Sequence, residues 1–146
     1  MVNSSDLDSG TFSGVIPKQI LQQPYMSEQQ IAFFRQRLQT MREHTLARIR
    51  AAQQSMSERP VLSDSADLAQ YEEDSRMTLR TVQRESKLLR KIEASLKRIH
   101  TGDYGYCLES GEPIGIARLL IRPTAEYCAE IKNQMEEREK HYGNYR

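Results

Sequence analysis

Cys107 and Cys128 are the side chains best suited to chemistry of their own. Cys107 opens Cys-Leu-Glu-Ser and Cys128 opens Cys-Ala-Glu-Ile. A four-thiolate zinc site uses two Cys-x-x-Cys knuckles at about this separation, because each knuckle turns two sulfurs toward one tetrahedral ion. Here Ser110 and Ile131 occupy the second position of each pair. The flanking residues still carry the turn chemistry of a finger: Gly102-Asp-Tyr-Gly-Tyr before Cys107, Ser110-Gly-Glu-Pro-Ile-Gly after it, and Arg122-Pro-Thr-Ala ahead of Cys128. Three readings stay open. Zinc would need Asp103, Glu109 or His100 to complete a poor donor set, so zinc is not expected. The two thiols are a redox pair if the frame holds them close. Otherwise they pack as small apolar groups, with Ile131 filling the volume an ion would take.

Charged residues form two further groups. Asp64, Asp67, Glu72, Glu73 and Asp74 gather near one candidate helix start, where carboxylates offset the positive end of the helix dipole. Lys87, Arg90, Lys91, Lys97 and Arg98 form a basic run that, taken alone, reads as a solvated helix face. His44 and His100 read as surface residues, and His141 lies in a fraying terminus. No Gly-rich phosphate loop, nucleophile elbow or His-Glu metal motif is present, so the sequence does not read as an enzyme.

The elements that must position these groups are helical. Ser27-Glu-Gln-Gln30 has the pattern of a capping box. Apolar residues then recur at Ile31, Phe34, Leu38, Met41, Leu46 and Ile49, and Pro60 closes the pattern. A second long helix is expected from about Asp64 or Ser65. Its seam runs Leu68, Tyr71, Ser75, Thr78, Val82, Glu85, Leu89, Ile92, Leu96, Ile99, a heptad repeat weakened by polar residues in its first half. Two such helices form an antiparallel coiled-coil hairpin over 27–100 with its tip at 58–70, with arms of roughly 45 Å from about 1.5 Å per residue. Residues 1–26 read as a mobile arm, with local order near Val15 to Leu21. Residues 101–146 read as a degenerate zinc-finger-like module, with a small hairpin between Tyr104 and Leu120. A last helix is expected from Pro123-Thr124, with Cys128, Ile131 and Met135 on one face. The fold class is therefore mostly α.

Composition limits what such a chain does. Of 146 residues, 28% are charged and none is Trp, and the formal net charge is +1. That balance gives no electrostatic case for wrapping DNA. Two cysteines cannot build a disulfide framework, and no apolar run approaches a membrane span, so a reducing cytoplasm is expected; the chain is also expected to act as a monomer.

The segment Pro24-Tyr-Met-Ser-Glu-Gln-Gln-Ile-Ala-Phe-Phe-Arg, the hairpin and the finger frame together resemble the DksA/TraR family, over roughly residues 24 to 142. The resemblance implies a non-catalytic factor that binds bacterial RNA polymerase, contacting its beta and beta-prime subunits. It inserts the coil through the secondary channel and alters promoter initiation with the alarmone ppGpp in the stringent response. It also carries residues over. The family's tip pattern Asp-x-x-Asp-x-Ala matches Asp64, Asp67 and Ala69. The alarmone site shared with polymerase corresponds to Lys91, Arg122 and Lys132, with Leu88 and Arg84 nearby. Arg118 matches a polymerase contact. With Ser110 and Ile131 at ligand positions, the chain is similar to the zinc-independent branch, which requires no cofactor. Two rivals remain: a plain coiled-coil adaptor, which would not require the tip spacing, and a transcript-cleavage factor, which also sends acidic residues down that channel.

Overall fold

The computed structural model describes residues 14–58 and 64–143. The expected arm up to residue 13, and the part of the tip at 59–63 that includes Pro60, lie outside the described residues. Five helices follow in order: α1 (Lys18–Leu21), α2 (Glu28–Ser57), α3 (Ser65–Thr101), α4 (Ile116–Ile121) and α5 (Ala129–Gly143). Among the described residues the only β pairing is an isolated antiparallel bridge between Tyr106 and Pro113. The chain divides into two compact units, one comprising Leu38–Tyr104 and the other Met1–Arg37 with Gly105–Arg146.

The Leu38–Tyr104 unit is the helical hairpin. Arg42 pairs with Glu93 at 3.5 Å and Arg48 with Glu85 at 3.1 Å, so climbing α2 means descending α3 and the pair is antiparallel. Leu38, Thr45 and Ile49 of α2 are buried, as are Glu85, Ile92, Ser95 and Ile99 of α3. Thr45 belongs to the stripe although it is polar. Its hydroxyl satisfies itself on the Met41 carbonyl at 2.7 Å and also accepts from Arg48 at 3.3 Å. Thr45, Arg48 and Glu85 thus form a polar layer in the seam, a device that fixes register in coiled coils. The expected seam on α3 is correct in its spacing, but its first half is loosely packed. No residue of α3 before Glu85 is buried, and Leu68 is 48% exposed. Gly102 ends α3 in the left-handed region at φ 84°, and its amide and that of Asp103 return to the Ile99 and Arg98 carbonyls.

The other unit begins with the segment that leads into α2. Ser27 caps α2, its Oγ accepting from the Gln30 amide at 3.3 Å. The Gln30 side chain reaches back one residue further than a capping box, accepting from the Met26 amide at 2.8 Å. Its NH2 donates to the carbonyls of Ile20 at 2.9 Å and Gln23 at 3.1 Å. A side chain 1% exposed is thereby fully engaged, and it gathers the chain from α1 to α2 around itself. Two expectations need correction here. Pro123-Thr124 sits in a turn and α5 starts only at Ala129, because the Arg122 carbonyl accepts from Ala125 and the Cys128 carbonyl takes the first helical bond from Lys132. The stretch from Tyr104 to Leu120 is not a hairpin alone: its second half is α4, whose Leu119 is fully buried.

Candidate functional site

The finger frame is held by its own backbone. The Cys107 amide donates to the Glu112 carbonyl at 2.8 Å, and Gly111 donates to the Cys107 carbonyl at 2.9 Å. Ile114 donates to Gly105 at 2.8 Å, and Leu108 donates to Glu126 at 2.9 Å, which ties the first knuckle to the approach of the second. Tyr25 adds a side-chain clasp. Its hydroxyl donates to the Gly105 carbonyl and accepts from the Gly115 amide at 3.0 Å, while its ring meets Tyr106 edge to face at 5.6 Å. Burial raises the Tyr25 phenol above its ordinary pKa, so the hydroxyl stays a donor. Gly105 must be glycine: its φ is 92°, and a Cβ there would lie 2.7 Å from Met26 Sδ.

Cys107 is 3% exposed and Cys128 half-buried, and both are free thiols. Burial pushes the Cys107 thiol up. Hydrogen bonds from the Ser110 hydroxyl and from the amides of Ser110, Cys128 and Glu109 outweigh that and bring it down from 9.0 to about 6. Ser110 also approaches Cys128, Oγ to Sγ, at 3.9 Å. Ile131 is half-buried three residues on. This donor set does not fit zinc, since a hydroxyl and an aliphatic group stand where two thiolates would be needed. Among the described residues no cluster of three or more His, Cys, Asp or Glu is placed to hold an ion.

The tip residues lie at the start of α3. Asp64 is the N-cap, its carboxylate accepting from the Ala66 amide at 3.1 Å. Asp67 is in the first turn and, like Ala69, exposed, and neither side chain has a hydrogen bond or ion pair among the described residues. Asp64 therefore has a structural task that Asp67 lacks. Beside the tip, Met56, Glu58, Tyr71, Ser75 and Thr78 line an open groove of about 470 Å³, where the coil seam has loosened.

The basic candidates fall in both units. Arg84 and Lys91 are exposed and Leu88 half-buried, and helical spacing sets the three on one face of α3. Arg122 caps the end of α4 and is exposed, and Lys132 is half-buried in the first turn of α5. Arg118, one turn before Arg122, donates from Nε to the Tyr127 carbonyl at 3.1 Å. It therefore braces α4 against the approach to Cys128, which its sequence position alone does not reveal. The sequence pattern does not reveal Tyr25 as a holding residue, and it gives Gln30 only its capping role, not its bonds to the Ile20 and Gln23 carbonyls. The glycines flanking the finger turns and the capping pattern were the available signals.

Comparison with known proteins decides the family. Residues 30–99 match the DnaK suppressor protein DksA N-terminal domain, and 102–130 match the prokaryotic dksA/traR C4-type zinc finger. The chain belongs to the DksA/TraR family. Similar family members are named RNA polymerase-binding transcription factor DksA. The one from Haemophilus influenzae is 42% identical over 88% of this chain and 90% of its own, and that from Caulobacter vibrioides 40% over 81% and 84%. The Escherichia coli K12 protein is 38% identical over 94% and 92%. Among solved structures, transcription factor DksA2 from Pseudomonas aeruginosa is similar with TM-score 0.77 and 47% identity, over 85% of this chain and 98% of that one. The zinc-finger half of the family match thus rests on a frame that carries only two of the four cysteines.

Proposed function

We propose that this protein is a non-enzymatic, cytoplasmic transcription factor that binds bacterial RNA polymerase as a monomer through the secondary channel. It makes no direct contact with DNA and modulates promoter initiation together with ppGpp. The observation that carries the reading is likeness along nearly the whole chain to factors named for polymerase binding. Two features of the chain support it. The α3 tip presents Asp67 and Ala69 with no internal task, and neither helix of the hairpin is apolar enough to cross a membrane. In this reading Asp67 acts electrostatically at the polymerase active centre, and Ala69 keeps the contact free of a larger side chain. Arg118 touches polymerase through the part of its guanidinium not spent on Tyr127. Lys91, Arg122 and Lys132, with Arg84, supply the protein's share of cations for ppGpp once polymerase is bound, and Leu88 lies between Arg84 and Lys91 on α3 as an apolar neighbour. The finger needs no zinc, because backbone bonds and the Tyr25 clasp hold it.

The test is transcription in vitro from a ribosomal promoter, with and without the protein and ppGpp. Inhibition that deepens with ppGpp is the expected result. An unchanged transcript level at saturating protein would reduce the molecule to a coiled-coil adaptor. Cleavage of backtracked RNA would make it a cleavage factor.

A further inference from the structure

The hairpin changes character at the Arg48–Glu85 pair. On the Gly102 side of that pair the seam is closed: Ile92, Ser95 and Ile99 are buried, and Arg42 reaches across to Glu93 at 3.5 Å. Toward the chain reversal, the ion pairs among the described residues stay within α3, where Glu73 holds Arg76 at 3.4 Å and Arg80 at 3.9 Å. The large apolar side chains that the described part of the hairpin unit exposes, Met56, Leu68, Met77 and Leu79, all lie on this second side. Half-buried Tyr71, Ser75 and Thr78 line the groove of about 470 Å³ there, beside exposed Met56, Glu58 and Asp74. Among the described residues no Lys, Arg or His lines it. The Glu58 carboxylate and the Tyr71 hydroxyl have no hydrogen bond or ion pair among the described residues, and the Asp74 carboxylate accepts from the Gln70 side-chain amide at 2.9 Å.

We propose that this groove between the ends of α2 and α3 is a docking surface for one basic amphipathic α-helix of a partner protein. Charge selects the sign of the partner: Glu58 and Asp74 face the groove with no cation lining it, so Lys or Arg side chains of an incoming segment would complete both. Backbone chemistry selects its form. The main-chain groups of α2 and α3 are spent inside the helices and offer no ladder edge, so a docked segment must satisfy its own backbone, which a helix does. Packing selects its anchors. Two helices with a loosened seam are an incomplete bundle, and a third helix laying an apolar stripe against Met56 and Tyr71 completes it. A second copy of this chain is the poorer occupant. The basic half of α3, around Lys87, Arg90, Lys91 and Lys97, would match the charge, but among the described residues that half exposes no large apolar side chain to serve as an anchor. The surface stands independently of any polymerase role, and its test needs no polymerase.

The experiment titrates the full-length protein into a fluorescein-labelled synthetic helix and reads anisotropy. The probe is a hydrocarbon-stapled peptide of about 12 residues, roughly 18 Å of helix, with Leu at helical spacing on one face and Lys on its flanks. Two control peptides keep its length, one with Glu in place of Lys and one with the Leu period scrambled. The expected result is saturable one-to-one binding of the probe that weakens as salt is raised, with both controls at least about ten-fold weaker. Amide shifts in the NMR spectrum should move over residues 55–58 and 71–78 and stay fixed in α5. Tyr71→Ala and the Glu58→Lys/Asp74→Asn double variant should each weaken the probe at least about ten-fold. The double variant changes exposed positions only, so it is decisive should Tyr71→Ala lose its helix signal. No binding by the wild type, equal binding of the Glu peptide, or undiminished binding by the double variant would each overturn the surface. A wild type that sediments as a dimer, and becomes monomeric on Tyr71→Ala, would assign the groove to a second copy and overturn the partner named for it.

Discussion

The hydroxyl of Tyr25 accepts a hydrogen bond from the amide of Gly115 at 3.0 Å, joining residues 90 positions apart in the chain. The same hydroxyl donates to Gly105, so one phenol spans both ends of the turn that carries Cys107. Tyr25→Phe keeps the ring against Tyr106 and removes both bonds, leaving the part-buried Gly115 amide unpaired while the Gly105 carbonyl keeps its bond from the Ile114 amide. A loss of about 1–3 kcal/mol is expected from urea denaturation, and an unchanged midpoint would show that the clasp holds nothing.

The hairpin should open unevenly. Buried residues on α3 begin at Glu85, while Leu68 and Met77 are 48% and 56% exposed. Local opening free energy follows buried apolar contact. Backbone amides between residues 69 and 80 should therefore exchange with deuterium well before those between 88 and 99. Equal protection along α3 would contradict the packing described for it.

Thiolate absorbance in the ultraviolet should titrate with a midpoint of about 6 for Cys107, well below the ordinary 9.0. Ser110→Ala removes a donor and should move that midpoint upward. The sign for stability follows from a folded-state value depressed below the unfolded one. The contribution is full above about pH 9, shrinks as pH falls, and is gone below about pH 6. Cys107→Ser should flatten that portion of the stability profile, and a profile unchanged by the substitution would remove the thiolate from it.

Asp64 and Asp67 should separate when each is changed to Asn. Asn caps a helix about as well as Asp, so Asp64→Asn should leave both folding and promoter inhibition near wild type. Asp67 has no bond to lose, and Asp67→Asn should reduce inhibition at saturating protein while polymerase affinity stays level. Equal, undiminished inhibition by both variants would leave the tip with capping alone.

Loss of a charge-assisted hydrogen bond costs about 1.5–3 kcal/mol, roughly ten-fold or more in affinity. Lys91→Ala or Lys132→Ala should accordingly preserve alarmone-free inhibition and shift the ppGpp titration by at least that factor. Solvated surface charges would instead change little, and a wild-type titration from the double variant would assign them to that class.

Much of this architecture was legible because periodicity reports burial directly. The spacing from Tyr71 to Ile99 named the face of α3 that turns inward, polar members included, since Ser75 and Thr78 are half-buried where the repeat places them. Thr45 escaped the α2 stripe because a hydroxyl that bonds its own helix, here to Met41, is as good a core residue as a small aliphatic one. The α4 helix was hidden because its six residues are too few to show a period, and Gly115 and Pro123 on either side read as turns. The cysteine spacing exposed the finger frame. Which atoms hold that frame in the absence of four thiolates depends on contacts as distant as Tyr25 to Gly115, and no local pattern encodes those.

The Arg48–Glu85 pair has a consequence for length. With register pinned there, the count of residues between the pair and the chain reversal acts as a ruler. Eighteen residues separate Glu85 from Asp67, about 27 Å of helix at 1.5 Å per residue. Inserting seven residues into each arm would preserve the seam and carry Asp67 roughly 10 Å further. A change of one residue in a single arm would rotate Asp67 to another side of the rod at almost the same distance. Reach and aim are therefore separately adjustable in this hairpin.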